Sequence, residues 1–149
     1  MSETQSQTPP PIEPPPPVTP ATSSPPPPNP ESQARLWNML CHLSVLAGFI
    51  GIPLGNVLGP LIVWQIKKNE IPSVEIHGKV ALNFQITVLL AGLVAGAAMF
   101  VGIFFCVGWF LLPVVILIGL AGLIFPIIAG IKANNGEAYQ YPWSLELVK

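Results

Sequence analysis

The sequence predicts an all-α integral membrane protein: two short helices forming a re-entrant or broken first hairpin, then two full transmembrane helices, preceded by a disordered proline-rich N-terminal tail. Three observations support this. Hydrophobic residues make up 51% of the 149 residues and charged ones only 9%, against about a quarter charged in ordinary soluble domains. No Asp, Glu, Lys or Arg occurs between Arg35 and Lys67, nor between Lys79 and Lys132. Thirteen of the 19 prolines fall within residues 1–34.

Residues 1–34 form the first region. With Pro14 to Pro17, Pro25 to Pro28 and intervening Ser, Thr and Gln, such a segment buries too little apolar surface to offset its ordering entropy. It reads as a solvated spacer with polyproline II character, and its P-x-x-P matches make a proline-recognising partner the alternative. It has no Lys or Arg and no apolar run, so it does not read as a secretory signal.

The membrane domain is expected over residues 35–135. Leu36 to Ile66 would run to ~46 Å as one helix, more than the ~30 Å of hydrocarbon it has to cross. Gly51, Pro53 and Gly55 interrupt it, because Pro removes a backbone donor and Gly relaxes the helix. Helices are expected near 36–50 and 57–67, as a re-entrant hairpin or a broken single span. Either places non-helical backbone at membrane depth, where protein or water has to satisfy it.

Residues 67–79 are the charge-dense loop of this domain, with Ser73 expected as the N-cap of the next helix. Val80 to Ile131 is 52 residues without a formal charge, ~78 Å of helix, which suits two crossings rather than one. The turn between them is expected between Phe105 and Pro113, with Trp109 at an interface. Ala133-Asn134-Asn135-Gly136 is a helix stop. Residues 136–149 form a short interfacial tail whose Tyr139, Tyr141 and Trp143 suit the headgroup zone.

In the hairpin scheme Arg35, Lys67, Lys68, Lys79, Lys132 and Lys149 all lie on one side, and the loop near 106–112 has none. The positive-inside rule then places both termini in the cytoplasm and makes the protein multi-pass. A broken span would export the tail, and the hairpin is preferred for sparing it.

Composition also limits chemistry. A net charge of -1 with six scattered Lys and Arg gives no basic patch for nucleic acid. Cys41 and Cys106 lack paired spacing, so they imply neither disulfide nor zinc. All seven acidic residues are Glu, and no carboxylate pair or Ser-His-acid set can be assembled. No enzyme, cofactor or metal site is expected, although convergence of Cys41, His42 and His77 would reopen that reading.

The polar residues at lipid depth are the candidate sites. Lys79, Asn83 and Thr87 share a helix face at four-residue spacing, and Gln85 points elsewhere. Asn83 and Gln85 need partners from another helix. Asn83 bonding the break at Gly51 to Asn56 is one solution, and a polar path past Asn56, Asn83 and Gln85 is the other. His77 reads as an interfacial packing or capping residue. Gly92 and Gly96 read as an internal packing face first and a dimer face second.

Arg35-Leu36-Trp37-Asn38-Met39-Leu40-Cys41-His42-Leu43-Ser44, then Gly55 to Trp64, then His77-Gly78-Lys79-Val80-Ala81-Leu82-Asn83-Phe84-Gln85 resemble the bacterial domain-of-unknown-function family numbered 4870. That family is grouped with the inner-envelope subunit of the chloroplast import translocon. The resemblance covers roughly residues 35–135 and departs at Val80, where an acidic residue is expected. It implies a compact four-helix fold in a bacterial cytoplasmic membrane and supplies no activity.

The function expected is a structural or accessory membrane component that binds lipid and recruits a membrane-protein partner or a second copy of itself. The alternative is a transport or channel subunit with a polar path near the helix break, Asn83 and Gln85.

Overall fold

A computed structural model describes residues 29–149. The tail expected over 1–34 lies outside the described residues as far as residue 28. Every regular element among the described residues is helical. They are α1 (Pro30–Leu43), a 3-10 extension (Ser44–Gly48), α2 (Gly55–Lys67), α3 (Pro72–Ile103), a 3-10 turn (Gly108–Leu111) and α4 (Leu112–Asn134).

Helix α1 starts before the expected residue 36. The Asn29 side chain accepts from the Glu31 N–H at 3.1 Å, Pro30 sits in the first turn, and Glu31 lies beside the positive end of the helix dipole. The same logic corrects the start of α3. Ile71 is its N-cap and Pro72 opens the first turn, so Ser73 is inside the helix and donates its hydroxyl to Asn38 Oδ1 at 3.0 Å.

Residues 36–66 fold back on themselves as a helical hairpin, because three glycines let the two arms touch backbone to backbone. A Cβ on Gly55 would lie 2.7 Å from the Ala47 carbonyl carbon, and one on Gly48 would lie 2.7 Å from the Asn56 nitrogen. A Cβ on Gly59 would collide with the Ser44 carbonyl. The tip between the arms uses left-handed backbone at Gly51 (φ 92°) and at Leu54 (φ 55°). At Leu54 that conformation costs ~1–2 kcal/mol.

The other close approaches fix α3 and α4. A Cβ on Gly78 would lie 2.6 Å from Trp64 Cβ of α2, and one on Gly122 of α4 would lie 2.9 Å from Val88 of α3. One on Gly130 would lie 2.9 Å from Leu43 of α1. Gly92 and Gly96 have no such neighbour within 4 Å, so the internal packing face expected of them is corrected. Positions 92 and 96 are half-buried, with room beside each for a Cβ.

The start of α1, the end of α2, the start of α3 and the end of α4 therefore lie at one end of the molecule. Lys67 of α2 sits 4.9 Å from the Trp37 ring of α1, and Trp64 of α2 donates to Glu75 of α3 at 2.7 Å. Arg35, Lys67, Lys68, Lys79 and Lys132 gather at this end. The turn at residues 104–111 is at the other, where Phe104, Phe105, Trp109 and Phe110 are exposed.

Two helical stretches, Pro72–Ile103 and Gly108–Asn134, are long and apolar enough to cross a membrane. The most apolar window of α3 contains no buried residue. A soluble core helix would be mostly buried, and this exposure fits contact with lipid or with another apolar surface. The buried core lies toward the charged end, around Phe84, Ala129 and Tyr141, with Val80, Val88, Phe125 and Tyr139 against it.

Candidate functional site: a buried histidine pair and a clipped C-terminal segment

Three segments far apart in sequence meet inside the charged end. His42 of α1 is fully buried. Its Nδ1 is 2.9 Å from the Tyr141 hydroxyl and its Nε2 is 3.0 Å from His77 Nδ1. The two imidazoles are edge to face, with centroids 5.3 Å apart. Tyr141 stacks on Phe84 of α3 at 4.1 Å, nearly parallel. Burial raises the Tyr141 phenol above its ordinary pKa, so it stays a hydroxyl and remains able to donate.

The stoichiometry of this chain restricts its protonation. A neutral imidazole has one donor and one acceptor, so the three groups bond in a single direction. In one direction Tyr141 O–H donates to His42 Nδ1 and His42 Nε2–H donates to His77 Nδ1. In the other, His77 Nδ1–H donates to His42 Nε2 and His42 Nδ1–H donates to the Tyr141 oxygen. With both imidazoles protonated, two N–H groups would face each other across 3.0 Å. The pair thus requires at least one neutral ring.

The second feature is the segment after α4. Gly136 (φ 83°) ends that helix, and the chain returns along α3 instead of lying free as an interfacial tail. Asn83 Oδ1 accepts from the N–H groups of Leu147 (3.0 Å) and Val148 (2.6 Å), and Asn83 Nδ2 donates to the Val148 carbonyl at 3.1 Å. Thr87 Oγ1 accepts from the Leu145 N–H at 2.9 Å while donating to the Asn83 carbonyl at 2.7 Å. Non-helical backbone is thereby satisfied by side chains of a membrane helix. Tyr141 is buried against the rest of the protein, and Trp143 is 88% exposed.

The sequence-derived candidates distribute as follows. His42 and His77 meet, and His77 is thus a hydrogen-bonding partner rather than a cap. Lys79 pairs with Glu75. Asn83 does not reach the Gly51 to Asn56 break, because the returning segment occupies it. Gln85, 1% exposed, donates Nε2 to the Gly122 carbonyl of α4 at 3.3 Å. Asn56 borders a cleft with Gln85, not with Asn83. Pro53 and Gly51 form the hairpin tip. Asn83 and Gln85 therefore serve different neighbours and do not line one path.

Among the described residues no group of three or more His, Cys, Asp or Glu could hold a metal ion. Thr87 shares the face of Asn83 as its four-residue spacing indicates, whereas Tyr141 and the segment 145–148 were not foreseeable as members of this site. Their signal was limited to the need of Asn83 for some partner.

Uncovered apolar helices at one end and a satisfied polar cluster at the other define a small helical membrane protein. Residues 33–148 match the model of the magnetosome magnetite crystal formation protein family (MamF/MmsF), and the chain belongs to that family. This overturns the resemblance to the domain-of-unknown-function family numbered 4870 and the chloroplast translocon subunit. The stretches that suggested it contain Gly55, Gly59, Gly78, His42, His77 and Asn83. These residues make helix contacts and polar links, so they specify an architecture more tightly than a lineage. No curated protein and no solved structure matches the chain.

Proposed function

We propose that this protein is a non-catalytic accessory component of a membrane in which magnetite crystals form, acting by shaping or organising that membrane and its partner proteins. The observation that supports the reading is the family match over residues 33–148, which takes in α2, α3 and α4 and all but the first three residues of α1. The polar chemistry fits a structural role. His42, His77, Tyr141, Asn83 and Gln85 are all engaged with other parts of the same chain, and no fully enclosed side-chain nitrogen or oxygen among the described residues lacks a partner.

In this reading the protein is multi-pass, with both ends of the described chain and the 67–79 loop on the cytoplasmic face and the 104–111 turn opposite. That is the arrangement the positive-inside rule favours. The uncovered faces of α3 and α4 contact lipid or a neighbouring membrane protein.

The test is complementation in a magnetite-forming bacterium from which its own member of the family has been deleted. Restoration of crystal size and shape, scored by electron microscopy, supports the proposal. Membrane-inserted protein that leaves the deletion phenotype unchanged overturns it. Co-purification in mild detergent then identifies partners, and a chain that remains partnerless across several detergents argues against recruitment.

A further inference from the structure

A cleft of about 340 Å³ opens between α3 and α4 on the side of the hairpin tip. Phe49, Asn56, Gln85, Gly92, Gly119 and Gly122 are among the residues that line it. Gly92 is 13 residues beyond Lys79, which puts the cleft ~20 Å along α3 from the charged end and inside the ~30 Å hydrocarbon layer. Polar groups at that depth require partners.

Gln85 lacks a complete set. Its Nε2 reaches the Gly122 carbonyl, and no side chain or backbone group among the described residues donates to its Oε1. Because no fully enclosed side-chain oxygen is left unpartnered, that Oε1 keeps a small accessible area, and Gln85 lines the cleft. Asn56 adds a second amide to the lining. Gln85 is only 1% exposed, so little more than one slender polar group can reach its amide. A chain one carbon wide would reach it.

We propose that this cleft binds a lipophilic molecule bearing a single hydroxyl or carbonyl group, entering sideways from the bilayer. Its polar group hydrogen-bonds the Gln85 and Asn56 amides, and its hydrocarbon chain lies in the groove left by Gly92 and Gly119. Cβ atoms at those two glycines would meet nothing within 4 Å. A side chain there occupies the groove without disturbing the helix crossings, which are made at Gly78, Gly122 and Gly130.

The test uses the full-length protein in liposomes and two photoreactive probes of equal length, a diazirine-bearing long-chain alcohol and the corresponding alkane. Peptide mapping reads where each attaches. Labelling at Leu93 and Val115 is expected to favour the alcohol by about tenfold, the scale of one well-made hydrogen bond. Gln85→Leu is expected to equalise the two probes. Gly119→Leu is expected to abolish labelling by both with an unchanged thermal midpoint, which keeps the test valid should Gln85→Leu fail to fold. Equal labelling of the native protein by alcohol and alkane overturns the proposal, as does labelling that survives Gly119→Leu. Cross-links from this cleft to a second copy of the chain also overturn it, by assigning the groove to an oligomer contact.

Discussion

His42 Nε2 and His77 Nδ1 lie 3.0 Å apart although 35 positions separate them in the chain. That bond ties α1 to α3, and the Tyr141 hydroxyl on the other nitrogen of His42 ties both to the segment after α4. Three segments of the fold are thus fastened through one fully buried imidazole.

Tyr141→Phe removes one hydrogen bond from that imidazole while keeping the stack on Phe84. Leaving a buried donor or acceptor without its partner costs ~1–3 kcal/mol. The thermal midpoint in detergent is expected to fall accordingly, and an unchanged midpoint would show that the bond contributes nothing.

Acid should weaken the same cluster. An ordinary imidazole protonates near ~6.5, and the His42–His77 bond requires at least one neutral ring. In the unfolded chain both rings protonate in that range, whereas the folded pair keeps at least one neutral, so its stabilisation is full above the range and declines progressively as pH falls below it. Denaturant unfolding at pH 7.5 and pH 5 is expected to show lower stability at pH 5, with the difference shrinking in His77→Asn. Stability that is flat or rises on acidification would contradict this.

Asn83→Leu removes all three bonds that hold the backbone of Leu147 and Val148. Hydrogen exchange at residues 145–148 is expected to become fast while α1, α2 and α4 keep their protection. Undiminished protection at 145–148 would mean that the segment is held by something other than Asn83.

The glycines divide into two groups with opposite expected outcomes. Gly59→Ala and Gly78→Ala force a methyl into Ser44 and Trp64, and overpacking of this kind costs ~1–3 kcal/mol. Gly92→Ala and Gly96→Ala meet open space and are expected to be neutral or stabilising by ~0.5–1 kcal/mol, the helix preference of Ala over Gly. Thermal midpoints of the four variants compare the groups directly, and destabilisation at 92 or 96 would reveal a contact made by another chain.

Much of the architecture was legible because charge and backbone-breaking residues are local signals. The charge-free stretches located the apolar helices, and Gly51, Pro53 and Gly55 located the hairpin tip. Helix starts were misplaced where short-range capping decided them, at Asn29-Pro30-Glu31 and at Ile71-Pro72. The site was less legible. His42, His77, Asn83 and Gln85 stood out as polar groups in apolar surroundings, but which of them meet depends on how α1 and α3 cross and on the chain after α4 turning back. Nothing in the spacing of Tyr141 or Thr87 encodes that return. The four-residue repeat of Gly92 and Gly96 misled for a related reason, since it describes a face and not what lies against it.

The hairpin arrangement of the helices in the membrane is tested most directly by thiol labelling from each side. Cys106 is exposed in the turn between α3 and α4, and Cys41 is buried. In sealed inverted and right-side-out vesicles, a membrane-impermeant maleimide should reach Cys106 from one side alone. It should reach the introduced thiols of Gln33→Cys and Asn69→Cys from the other side alone, and leave Cys41 unmodified. Labelling of Gln33→Cys from the same side as Cys106, or ready modification of Cys41 in the folded protein, would contradict the fold described here.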